Sequence, residues 1–289
     1  MKLRRTKIKK MFKDKNAVSQ ILAAMMMIFL FTAAIGVVWG YLYPTYRRFQ
    51  TTNAINSVTL YMLNIDESIY DIYGKGEGTT KTIRVDPSYG TFFYDEGKNV
   101  SLQYSNTAGT FTGSYVFSAL GAFSYSLENR RGVILDVGQH RYLKGPKVQN
   151  TFFINGSDDG LTYQGLTNLT LSRTDEKAMK IELEYRARVY YWFDQTNNVL
   201  SVIINLVQID INGVEFSFHD YNELVLAYNT TRTVYSTSAN IDDDFFIDGS
   251  IASVGFNPSE PALTFIKPLA VANYDVNIDV VVSQILFYY

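Results

Sequence analysis

The chain contains no cysteine. Thiolate nucleophiles, cysteine-ligated zinc and iron–sulfur clusters are thereby excluded, and no disulfide can brace the fold. Histidine is almost as scarce, with His140 and His219 alone. A lone histidine in a strand-rich chain is expected at the surface or in a hydrogen bond, and neither is assigned a catalytic role. There is no Gly-x-Ser-x-Gly elbow, no Walker phosphate loop and no His-Glu-x-x-His zinc helix. Neither a cofactor nor a metal is read from the sequence, and no enzyme is expected. Paired carboxylates carry no sequence signature, so an anchored hydrolase ranks third, behind two structural readings.

The most informative absence is of charge. No charged residue occurs from Ala17 to Tyr43, a run of 27 (AVSQILAAMMMIFLFTAAIGVVWGYLY). A bilayer core takes about 20 apolar residues in a helix, and 27 residues at about 1.5 Å each give roughly 40 Å. The run exceeds a secretory h-region of about 7–15 residues, and bulky Val38-Trp39-Gly40-Tyr41 offers no small-residue cleavage site. Trp39, Tyr41 and Tyr43 gather at its outer end, where interfacial aromatics are expected. Eight lysines and arginines and a single Asp14 fill the first fifteen positions. The positive-inside rule then puts the N-terminus in the cytoplasm and residues 44–289 outside.

What remains is acidic. Eight of 26 basic and one of 28 acidic residues lie in that N-terminal stretch, which leaves 18 basic against 27 acidic, a net −9, for residues 16–289. That balance argues against nucleic acid and anionic lipid surfaces as partners of the exterior. Tyr and Phe are abundant, 22 and 19 residues, as suits a chain of strands.

Pro44 is expected to break or kink the helix. Beyond it Ile55, Val58, Met62, Ile65, Ile69 and Ile72 recur at steps of 3, 4, 3, 4 and 3. The spacing predicts a second helical segment over about 46–73, packed on the domain that follows and stopped by Gly74-Lys75-Gly76-Glu77-Gly78. From Thr79 the period becomes two. Met179 to Phe193 alternate with Lys180, Glu182, Glu184, Arg186 and Arg188, which predicts one strand with a charged outer face. Asp194–Asn198 reads as a turn into Val199–Ile211, apolar on both faces and therefore a central strand. Alternation at 276–282 and the apolar ending Ile285–Tyr289 predict a closing strand. Shorter runs near 90–94, 99–104, 110–117, 121–127, 131–137, 166–172, 223–228, 232–237 and 262–267 bring the count to ten or more. The fold class is mainly β: a long N-terminal helix, then a β-sandwich-type domain over 74–289.

Two acidic loops have some of the composition of a cation site. Asn155, Gly156, Ser157, Asp158, Asp159 and Gly160 resemble the start of a calcium loop, but its twelfth position is Leu166 where a bidentate Glu is required. A polar hairpin turn is preferred. Asp242, Asp243 and Asp244, with Asp248 nearby, are read as a solvated loop. Four Asn-x-Ser/Thr sequons, at Asn99, Asn155, Asn168 and Asn229, lie where N-glycosylation can act if the domain is external.

A basic stretch, then Lys15-Asn16-Ala17-Val18-Ser19-Gln20-Ile21, then a long apolar helix resembles archaeal type IV pilin-like proteins. Many of these open the apolar segment with an Ala-Val-Ser-Pro-Val-Ile-like string; Gln20 stands at the proline. The glutamate that bacterial type IV pilins carry five residues into the mature chain is Ile21 here, for a mature chain starting at Ala17. The resemblance covers about residues 1–75. It implies a leader over 1–16, a class III signal peptide cut between Asn16 and Ala17 by a prepilin-type peptidase. Residues 17–73 would be the assembly helix, transmembrane to about 43, and 74–289 a displayed extracellular domain in a lollipop layout. Self-association, or association with other pilin-like subunits, is implied as the partner class. The alternative is a single-pass envelope or S-layer-associated binding protein that keeps its leader.

Overall fold

The computed structural model describes residues 15–86, 90–95, 99–118, 120–128, 135–144, 153–155, 167–173, 175, 178–211, 217–218, 222–251, 263–268 and 271–288. Helix runs from α1 (Lys15–Val37) through a π turn (Val38–Leu42) into α2 (Tyr43–Lys75). Pro44 therefore does not break the helix. Its ring would strike the Gly40 carbonyl in an α turn, and it has no N–H to donate there. The π turn widens the coil at that point: the Tyr43 N–H bonds the Val38 carbonyl, five residues back. α2 stops as its glycines require. Gly76 takes φ +94° and its N–H caps the Ile72 carbonyl at 3.1 Å, a left-handed C-cap.

The described residues divide into two compact units, and the division falls inside α2, between Asn53 and Ala54. The first unit holds the helix up to Asn53. The second holds the helix from Ala54 together with all the described strands.

In the second unit the seam read from spacing is real. Ile55, Val58, Met62, Ile65, Ile69 and Ile72 are all buried, each stabilising by about 1.5–3 kcal/mol. The strands are β1 (Thr80–Val85), β2 (Gly90–Asp95), β3 (Val100–Asn106), β4 (Thr112–Phe117), β5 (Ala122–Glu128), β6 (His140–Lys144), β7 (Phe153–Asn155) and β8 (Thr167–Ser172). They continue with β9 (Ala178–Tyr185), β10 (Ala187–Asp194), β11 (Val199–Ile211), β12 (Ser217–Phe218), β13 (Asn222–Ile241), β14 (Phe245–Ile251), β15 (Leu263–Phe265) and β16 (Tyr274–Tyr288). The first sheet has the order β1-β13-β16-β11-β10-β7, the second β12-β2-β5-β9-β8-β6 and the third β15-β14-β3-β4.

The closing strand β16 lies between β13 and β11, antiparallel to one and parallel to the other. Thirteen residues of β11 and fifteen of β16 let these strands serve two cores. Their first halves turn Leu200, Val202, Ile204, Val276, Ile278 and Val280 into a core shared with Val100, Leu102, Phe245 and Ile247 of the third sheet. Their second halves bury the opposite face. Ile209, Ile285 and Phe287 are covered there, and Phe287 stacks on Phe123 of the second sheet with ring centroids 5.4 Å apart.

Several expectations are corrected. Residues 179–193 are not one strand: β9 belongs to the second sheet and β10 to the first, with the switch at Arg186. Alternation runs through the switch unbroken because side-chain facing is local while pairing is not. The outer face is not solvent-exposed either, since Glu182, Glu184 and Arg186 are buried. The runs 223–228 and 232–237 join in the 20-residue β13, bulged between Tyr228 and Thr230 and between Thr233 and Tyr235. No strand occupies 135–139; the rest of the run expected over 131–137 lies outside the described residues. β6, β7, β12 and β14 were not expected.

Buried phenols give the second unit an alkaline limit. Burial pushes Tyr274 up to about 12, with Asp244 and Asp243 adding to the effect, and raises Tyr125 and Tyr185 in the same direction. The folded state holds these groups neutral, whereas unfolding frees them to ionise near the ordinary 10.0. Their contribution is whole below that pH and is lost as pH rises through the folded values. The expected result is cooperative loss of the sheets above pH 10 with phenolate absorbance rising in step. Phenolate titration at the ordinary midpoint with the sheets intact would contradict it.

Candidate functional site

The helix presents two surfaces of different character. In the first unit every large apolar side chain from Ile21 to Phe49 is exposed, including Met25, Phe29, Leu30, Phe31 and Ile35. The helix Ser19–Lys75 is long and apolar enough to cross a membrane. Gly36 and Gly40 have open space where a Cβ would stand, so another helix can come close there. Trp39, Tyr43 and Arg47 follow at steps of four. The Trp39 and Tyr43 rings are 5.2 Å apart, and Arg47 donates to the Tyr43 hydroxyl from Nε at 3.0 Å and Nη2 at 2.7 Å. An aromatic pair ending in a tethered guanidinium is suited to a boundary between apolar and aqueous surroundings.

In the second unit α2 is held by a buried polar cluster as well as by its seam. Asp66 is 1% exposed. It pairs with Lys144 of β6 and accepts from Thr167 of β8 at 3.1 Å and Tyr185 of β9 at 2.9 Å. Both carboxylate oxygens are engaged, as a buried charge requires. Desolvation first, then the Asp66 charge and hydrogen bond, push the Tyr185 phenol well up, so it stays a donor. Along the helix, Asp71 sits between Lys75 and Lys81 at 3.3 and 3.1 Å. Lys81, through its hydrogen bond, leads in lowering the Asp71 pKa. The exposed pairing adds little stability. Tyr73 accepts from the Asn205 side chain of β11.

Sequence reasoning placed Asp66 off the seam and missed this cluster. The available signal was its position four residues after Met62, on the seam's flank. Lys144, Thr167 and Tyr185 lie 78, 101 and 119 residues away, and no local pattern joins them to it.

The other named residues are scattered. Asn16 and Ala17 fall in the first turn of α1. Asn99 is exposed just before β3. Asn229 is exposed at the β13 bulge and donates to Gln284 at 2.7 Å. Asn155 ends β7. Asn168 is buried in β8 with its Oδ1 unpartnered, so a glycan there would require the second sheet to open. Residues 156–166 of the calcium-like loop, and His219, lie outside the described residues. His140 is exposed at the start of β6, edge-on to Tyr142.

The acidic triplet is not simply solvated. Asp243 accepts from Asn106 Nδ2 at 2.8 Å and from the Ala108 N–H, and Asp244 from the Lys267 N–H at 2.8 Å. These carboxylates tie the β3–β4 turn and the segment after β15 to the start of β14. Among the described residues no group of three or more His, Asp or Glu side chains is arranged to hold a metal ion.

No protein-family model, curated protein or solved structure matches the chain.

Proposed function

We propose that the chain is a pilin-like structural subunit of an archaeal cell surface, anchored or assembled through its helix and displaying the β unit for adhesion or surface interaction. The observation that carries this reading is the contrast along one continuous helix. It is uncharged from Ala17 to Tyr43, with its large apolar side chains exposed as far as Phe49, then buried and ion-paired on the sheets from Ala54. The first part suits lipid, or a bundle of like helices, because it brings no charge needing a partner. The second suits transmission of load, because a seam of six apolar side chains and the Asp66 cluster resist separation of helix from sheets. Trp39, Tyr43 and Arg47 would mark the outer boundary, with the leader cytoplasmic and the bulk outside, where exposed Asn99 and Asn229 are the sequons best placed to carry glycans.

The test is the N-terminal sequence of the chain purified from cells, with immunoelectron microscopy of sheared surface material. The expected result is a mature chain starting at Ala17 and label along fibres. An intact Met1, with all label left in membranes, would replace this reading with the permanently anchored envelope protein.

A further inference from the structure

The two faces of the first sheet are covered unequally. Where β11 and β16 begin, one face is sealed against the third sheet through Leu200, Val202, Val276 and Ile278. On the opposite face α2 reaches Asn205, which donates to the Tyr73 hydroxyl near the end of the helix. Beyond that point the cross-strand register lines up two rows. Trp192, Ser201, Asn277 and Ser238 form one, and Tyr190, Ile203, Asp279 and Ser236 the next. Trp192 is 50% exposed, the two serines of β13 are exposed, and the rest of both rows is half-buried. The acids beside this shelf are engaged locally. Asp275 accepts from the Asn240 side chain at 2.7 Å, and Asp194 from the Thr196 N–H at 2.9 Å and the Asn197 side chain at 2.7 Å. Asp279 has no hydrogen bond or ion pair among the described residues, so its carboxylate is available. Arg188 borders the second row, its guanidinium 5.6 Å from the Tyr190 ring centroid.

Size and chemistry together select an occupant. Strands lie about 4.8 Å apart and same-face residues along a strand about 6.8 Å apart, so four strands and two rows offer roughly 300 Å². A stable protein interface takes about 800 Å² from each partner, so a second copy of the chain finds too little area here. β11 and β16 are interior strands, and an extended peptide finds no open ladder to join. The available charge is a carboxylate, which opposes phosphate, sulfate and carboxylate ligands. A neutral sugar meets all of these conditions. Its ring has an apolar C–H face that lies flat on an indole. Its hydroxyls donate to a carboxylate and exchange hydrogen bonds with serine and asparagine. We propose that this shelf binds a neutral glycan chain, stacked on Trp192 and held through its hydroxyls by Asp279, Asn277 and Ser201. The proposal names a ligand for the adhesion part of the proposed function, and it rests on that reading only for the unit lying outside the cell.

The test presents the full chain, in micelles of a zwitterionic detergent that carries no sugar, to immobilised cellohexaose, mannohexaose, maltohexaose and chitohexaose. Sialylated and sulfated oligosaccharides serve as anionic probes. Binding to at least one neutral hexasaccharide is expected, with a change in tryptophan emission, and none to the anionic probes. Trp192→Ala should weaken binding about tenfold or more and remove the emission change, and Asp279→Asn should weaken it by a similar factor. Both variants should keep the dichroism of the sheets, and Val116→Ala, exposed on β4, should bind like the unaltered chain. No neutral hexasaccharide bound by the unaltered chain, binding that survives Trp192→Ala, or a preference for the anionic probes would overturn the proposal. Self-association that Trp192→Ala abolishes, with no saccharide bound, would give the shelf to a second copy and overturn it too. Leader cleavage and fibre labelling are read separately, so the glycan site and the pilin-like reading can each fail alone.

Discussion

Asp66→Ala is expected to destabilise the second unit by about 3–5 kcal/mol, the range for breaking one side of a buried ion pair. The change removes the buried carboxylate that the half-buried Lys144 ammonium pairs with. It also strips the acceptor from the Thr167 and Tyr185 hydroxyls. Denaturant unfolding of the full chain in micelles, followed by far-ultraviolet dichroism of the sheets, measures the loss. Adding Lys144→Met removes the ammonium that had faced Asp66 and should recover about 2 kcal/mol or more, the two hydroxyls accounting for what is left. The pair is thus expected to be strongly non-additive. If each single change costs less than about 1 kcal/mol and the two costs add, Lys144 is reaching water and the cluster does not lock the helix.

Met26→Arg combined with Leu30→Arg is expected to release the chain from membranes. Each arginine near the middle of a spanning helix costs about 2.5–3.5 kcal/mol, and the lost leucine a few tenths more, so the pair opposes insertion by roughly 5–8 kcal/mol. Both positions are exposed on α1, so the substitutions leave the packed sheets of the second unit untouched. Alkaline extraction of membranes, followed by a blot for the chain, reads the outcome. Tyr61 on α2 changed to arginine makes the control, since it lies in the unit that the helix and sheets share. If the double variant stays in the extracted pellet with the unaltered chain, α1 is not the membrane element and the anchoring part of the proposed function fails.

Much of this architecture was legible from spacing, because spacing is what local geometry acts on. The 3-4-3-4-3 series from Ile55 to Ile72 named the buried face of α2 residue by residue. The stop at Gly76, the turn at Asp194–Asn198 and the central place of β11 were legible for the same reason: backbone preference and side-chain facing are settled within a few residues. The misreadings share an opposite cause. Residues 179–193 alternate without a break, yet the chain changes sheets at Arg186 because β5 and β8 flank β9 while β11 and β7 flank β10. The triplet before β14 looked like open loop because its acceptors find their donors at Asn106, Ala108 and Lys267, far off in sequence. A break or kink was expected at Pro44 because an α turn was assumed where a wider π turn forms.

By itself, then, the sequence determined that one long helix leads this chain, which stretch of it is free of charge, which face of the remainder is buried and that strands follow. These depend on period and composition. Only the tertiary structure decided that Asp66 is the anchor point of α2, that Glu182, Glu184 and Arg186 are covered, and that Asn168 is buried while Asn99 and Asn229 are exposed. Each of those depends on which strands become neighbours, a choice made by packing over more than a hundred residues and carried by no local pattern.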